Sequence, residues 1–101
     1  MQATVSISNG EARVKLVGRF DFNSHREFRA AYETVLESAE VRTLVIDLGG
    51  VDYLDSSALG MLLMVRDKLG SANKAILLAN AQSGVKQVLD IANFSKLFKM
   101  V

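Results

Sequence analysis

Apolar and polar residues alternate from Thr4 to Ser8, pause at Asn9-Gly10, and alternate again where Ala12, Val14 and Leu16 interleave with Arg13 and Lys15. A period of two places every second side chain on one face, so both stretches are predicted as strands. Asn-Gly between them fits a two-residue hairpin turn, because both positions adopt positive φ at little cost. Past Gly18-Arg19-Phe20-Asp21 the period lengthens: Phe28, Ala31, Tyr32, Val35, Leu36 and Ala39 recur at the spacing of an amphipathic helix. Ser24, with Glu27 three residues later, fits a capping box that would satisfy free amides at the start of that helix.

Leu44-Val45-Ile46 and Leu48 form a compact apolar run, predicted as a central strand covered on both faces. Gly49-Gly50 breaks the run. Asp55-Ser56-Ser57 then precedes a second helix, apolar from Ala58 to Val65, whose end is marked by Lys68 and by Gly70 just beyond. Lys74 to Asn80, with Ala75 to Ala79 as its apolar run, reads as another strand, Val85, Val88, Leu89 and Ala92 as the stripe of a third helix, and Leu97 to Val101 as a short last strand. The order β-β-α-β-α-β-α-β implies an α/β fold: a mixed, mostly parallel sheet with an N-terminal hairpin and helices packed mainly on one face. In such open sheets the functional loops lie beyond the carboxyl ends of the strands, where Gly49 to Ser57 falls.

Length and composition narrow the function. A chain of 101 residues, 50% hydrophobic and 23% charged, is expected to form one domain over 1–101 with its own core. It has no cysteine, which removes disulfides and thiolate metal sites, and His25 is its only histidine, predicted exposed on the first helix. No metal or cofactor is expected. Twelve Lys and Arg are scattered among eleven Asp and Glu, for a net charge of +1, so a nucleic-acid partner is not expected either. Without a leader pattern or an apolar run of about 18 residues, no membrane span is predicted and a cytoplasmic location is expected. Phosphate-binding glycine motifs are absent, as is the G-x-S-x-G turn, and a serine hydrolase would have only the distant His25 as base. The sequence therefore points away from an enzyme.

Candidate chemistry concentrates at Asp55-Ser56-Ser57. Asp and Ser oxygens at a helix start accept bonds from its first N–H groups. A serine there is also well placed to carry phosphate, because the free amides and the helix dipole favour an anion. Capping and phosphorylation can fall to neighbouring residues of the same motif. Asp21 ends a strand just before a helix and falls at the same end of the sheet, as a turn residue or as part of a partner surface.

Leu54-Asp55-Ser56-Ser57-Ala58-Leu59-Gly60 resembles the signature of STAS domains, specifically the anti-sigma-factor antagonists. Gly18-Arg19-Phe20-Asp21 resembles the Gly-x-x-Asp that closes the second strand in that family, and Thr43 to Leu48 its central strand. Ser83 to Phe98 also follows the family pattern, so the likeness covers nearly the whole chain. The resemblance implies that Ser56 is phosphorylated by a partner serine kinase that is also an anti-sigma factor. Unphosphorylated, the antagonist would bind that kinase and free the sigma factor; phosphorylation would break the complex, and a serine phosphatase would reset it. Asp21, Asp55, Ser57 and Leu59 would belong to the partner-binding surface of a monomer. Two features depart from the pattern: Ala58 stands where many members have glycine, and no C-terminal helix follows the last strand, which leaves more surface uncovered. A non-switching STAS subunit of a transporter or scaffold assembly would have the same fold, and a serine hydrolase is the remote alternative.

Overall fold

A computed structural model describes the whole chain, Met1–Val101. Asn9 and Gly10 both have positive φ, 52° and 79°, and close the hairpin of β1 (Gln2–Ser8) and β2 (Glu11–Phe20). There follow α1 (His25–Glu37), β3 (Thr43–Leu54), α2 (Ser56–Ser71), β4 (Ala75–Ala79), α3 (Ser83–Ile91) and β5 (Lys99–Met100), with short 3-10 turns at Phe22–Ser24 and Phe94–Lys96. The five strands lie in sequence order, β1-β2-β3-β4-β5, antiparallel within the hairpin and parallel elsewhere.

Alternation along the strands decides which face the helices cover. Ala12, Val14, Leu16 and Phe20 of β2 and Leu44, Ile46 and Leu48 of β3 join Phe28 and Val35 of α1, Leu62 and Leu69 of α2 and Leu89 of α3 in one buried cluster. All three helices therefore pack on a single face. Each of the Val, Leu, Ile and Phe side chains among these stabilises the fold by about 1.5–3 kcal/mol through removal from water.

The opposite face differs from the expectation of a strand covered on both sides. Arg13, Lys15 and Arg19 alternate out of the core there, and Val45 and Asp47 are buried on it without joining the helix-packed cluster. Asp47 replaces a helix with polar cover: one carboxylate oxygen accepts from the Arg13 guanidinium at 2.8 Å, the other from the Gly49 N–H at 2.9 Å and the Asn80 amide at 3.2 Å. Burial alone would raise the Asp47 pKa, but these three donors outweigh it and hold the group below the ordinary carboxylate value.

Three further expectations give way to local geometry. Gly49-Gly50 does not end the strand: β3 continues to Leu54, and the glycines serve close approach. A Cβ on Gly50 would lie 2.8 Å from the Leu16 carbonyl oxygen, beside an irregularity in the β2–β3 register. Likewise α2 runs through Gly70, and the left-handed residue that turns the chain is Asn73, at φ 59°. The Ser24–Glu27 capping box does not form, because the Ser24 hydroxyl is engaged by the preceding turn.

Candidate functional site

β2 and β3 end side by side, with Phe20 paired to Leu54, and each strand is followed at once by an aspartate. Both aspartates cap. Asp21 accepts from the Asn23 N–H at 3.0 Å, while Ser24 accepts from the Asp21 N–H at 3.1 Å and donates to the Arg19 carbonyl at 3.0 Å. The capping box is thus shifted by one turn from the predicted one and belongs to Phe22–Ser24, with Ser24 only 2% exposed.

Asp55 does two things. One oxygen accepts from the Ala58 N–H at 2.9 Å and caps α2; the other accepts from the Phe22 N–H at 3.3 Å, across from the neighbouring turn. Its own N–H donates to the Phe20 carbonyl at 3.3 Å. A single carboxylate therefore ties the start of α2 to the corner that leads into α1.

With capping taken over by Asp55, Ser56 is left as the first residue of α2, exposed and with its hydroxyl in no intramolecular hydrogen bond. Ser57 is half-buried, and its hydroxyl also takes no part in the cap. Leu59 is half-buried and packed against the core. The predicted residues Asp21, Asp55, Ser56 and Ser57 thus gather at one end of the sheet, while Leu59 contributes its side chain inward. An anion on Ser56 would sit at the amino end of a 16-residue helix, where the backbone dipoles favour it.

Sequence patterning did not single out the apolar rim of this site. Phe22 is 74% exposed although it lies between two capping residues, and Tyr53 is 41% exposed with the Arg19 guanidinium 4.0 Å above its ring. Arg19 also lies 3.6 Å from the Asp21 carboxylate. The signal for Phe22 is its place: it falls outside the helical stripe that begins at Phe28 and so has no slot in the core. Aromatic residues are enriched at protein–protein interfaces relative to the rest of the surface.

His25 lies in the seam between α1 and α2 with Phe28, Tyr32 and Met64, and makes no hydrogen bond to Ser56. No group of three or more His, Cys, Asp and Glu is arranged to hold a metal ion, and no helix is long and apolar enough to cross a membrane.

Residues 3–101 match the family described as "Mlab, STAS domain". The chain is 47% identical over 98 residues to a STAS-domain containing protein of Pseudomonas aeruginosa, covering 97% of this chain and 95% of that one. Among solved structures it resembles an anti-sigma factor antagonist from Mycobacterium paratuberculosis, with a TM-score of 0.85 at 23% identity over 98% of this chain and 83% of that one. It also resembles the STAS domain of a SulP transporter from Vibrio cholerae, with a TM-score of 0.72 at 23% identity over 91% of this chain and 70% of that one. These two likenesses establish a shared fold.

Proposed function

The chain belongs to the STAS domain family, and on that premise we propose that it is an anti-sigma-factor antagonist whose partner binding is switched by phosphorylation of Ser56. One observation carries the reading: Asp55 takes over the helix cap and leaves the Ser56 hydroxyl exposed and unbonded. A kinase needs that hydroxyl free, and the fold does not need it. The partner is an anti-sigma serine kinase, which binds the unphosphorylated form and releases the phosphorylated one; a serine phosphatase restores the first state. Asp21, Asp55 and Ser57 frame the acceptor, and exposed Phe22 and Tyr53 supply apolar contact around it.

Charge explains how such a switch acts. Phosphate adds about −1.5 to −2 at neutral pH, next to the Asp55 carboxylate that precedes it in the chain. A partner surface matched to a neutral serine would meet repulsion and a desolvation cost, while the helix start itself tolerates the anion. The switch would therefore act on the interface and leave the fold intact.

The test is to supply the cognate kinase with ATP and map the product by mass spectrometry. Phosphate is expected on Ser56 and not on Ser24 or Ser83; modification confined to Ser57 would move the switch by one residue. The transporter-domain neighbour keeps a second reading in view, a non-switching STAS subunit. That subunit would bind its partner equally well with Ser, Ala or Asp at position 56.

A further inference from the structure

The two edges of the sheet are built differently. β5 is two residues long and carries Lys99, the short charged form that discourages strand addition. β1 runs for seven residues, Gln2–Ser8, with no charge, no proline and an unbroken register against β2. In a hairpin closed by a two-residue turn, Ser8 and Glu11 form a hydrogen-bonded pair, and the pairing alternates from there. The even-numbered residues of β1 thus bond to β2, and the N–H and C=O groups of Ala3, Val5 and Ile7 point away from it. No turn, loop or cap hydrogen bond elsewhere in the chain takes up those groups. Their side chains continue the apolar face: Ala3 and Val5 rest against the core, and Ile7 is 41% exposed.

From this edge we infer that β1 pairs antiparallel with β1 of a second copy, about a two-fold axis at Val5. Val5 then faces its own counterpart and Ala3 faces Ile7 of the other copy, for about six hydrogen bonds, since each such pair exchanges two. Centring on Val5 engages every outward-facing residue of the strand. The apolar side chains meet on the helix-covered side, while Thr4 meets Ser6 and Gln2 meets Ser8 on the other. A two-fold axis sets like against like, so a charge near its centre would repel its own image. A strand with none is suited to itself, whereas a charged partner strand would find no complement here. The pair differs from the monomer expected from sequence, and it stands apart from the switch, because β1 lies two strands from the end of β3 that leads to Ser56.

Sedimentation equilibrium from about 10 μM to about 1 mM, with amide exchange followed by NMR at both ends of that range, tests the inference. A dimer is expected to appear with concentration, and the amides of Ala3, Val5 and Ile7 to slow only as it forms, while those of Thr4 and Ser6 are slow throughout. Val5→Pro removes the central outward N–H and Thr4→Lys brings two cations to the axis; each should weaken self-association at least about tenfold. Circular dichroism melts check that both variants fold, and Thr4→Lys, an exposed change, carries the test if Val5→Pro does not. A wild-type chain that stays monomeric, with Ala3, Val5 and Ile7 exchanging freely, overturns the inference. A dimer that Thr4→Lys leaves unchanged overturns it as well.

Discussion

Ser24 and Ser56 occupy matching places after neighbouring parallel strands, each close behind a capping aspartate, and their side chains have opposite fates. Ser24 is buried, accepts from the Asp21 N–H and donates to the Arg19 carbonyl. Ser56 is exposed and bonded to nothing in the chain, because Asp55 alone supplies the cap of α2. The difference is one of spacing. Asp21 stands three residues before Ser24, so the serine reaches back to close the turn; Asp55 immediately precedes Ser56, so the carboxylate reaches over the serine to the Ala58 N–H. The same capping chemistry locks one hydroxyl into the fold and leaves the other exposed and unbonded.

The largest expected effect comes from placing a carboxylate at each position. Ser24→Asp puts a charge into a 2% exposed site beside Asp21 and should destabilise by about 2–4 kcal/mol. Ser56→Asp, at a helix amino end, should change stability by less than about 0.5 kcal/mol. Urea midpoints of the two variants measure the gap, and equal losses would erase the distinction between the serines.

Next in size is the shared cap. Asp55→Ala removes the acceptor of both the Ala58 and the Phe22 amides and should cost about 1–2 kcal/mol in the same experiment. Hydrogen exchange sharpens the result, since both amides should speed up together if one carboxylate joins the two helix starts.

Phe22→Ala separates surface from scaffold. A residue 74% exposed should contribute less than about 0.5 kcal/mol to folding. As an aromatic beside the proposed phosphoacceptor, it should weaken kinase binding by about tenfold. Calorimetry and urea melts on one preparation read both.

The smallest effect is in acid. The depressed pKa of Asp47 means its stabilisation is fully present above the ordinary carboxylate value, 3.8, and is lost as pH falls through its lower folded value. Asp47→Asn should therefore lower stability at neutral pH and flatten the acid limb below about pH 4, with no change in partner binding. This carboxylate holds the uncovered side of β3 to β2 and to Asn80, away from the two helix starts.

Much of this arrangement is legible along the chain. Alternation and Asn9-Gly10 define the hairpin, helical periods define α1 and α3, and the Asp55-Ser56-Ser57 motif lies where a strand gives way to a helix. What is hidden depends on contacts between distant segments. Gly49-Gly50 reads as a break until the Leu16 carbonyl is placed over Gly50. Ser24 and Glu27 have capping-box spacing, yet the Arg19 carbonyl and the Asp21 amide claim the serine first. Which member of Asp55-Ser56-Ser57 makes the cap is likewise a matter of geometry, and on it rests the freedom of Ser56. Phe22 and Tyr53 reveal nothing by periodicity: Phe22 lies in the corner that Asp55 holds, and Tyr53 pairs with Arg19 near the end of β3, on the face no helix covers.

The most direct test of the proposed switch is titration calorimetry of the proposed anti-sigma kinase partner against four forms of the chain: wild type, Ser56→Ala, Ser56→Asp and enzymatically phosphorylated wild type. With a partner carboxylate about 6 Å away and an effective dielectric near 40, each added charge should cost on the order of 1.4 kcal/mol. Binding should then be preserved in Ser56→Ala, weakened about tenfold in Ser56→Asp and about a hundredfold by phosphate, with thermal melts of all four forms nearly coincident. Equal affinities across the four would contradict the account and leave the non-switching STAS subunit in its place.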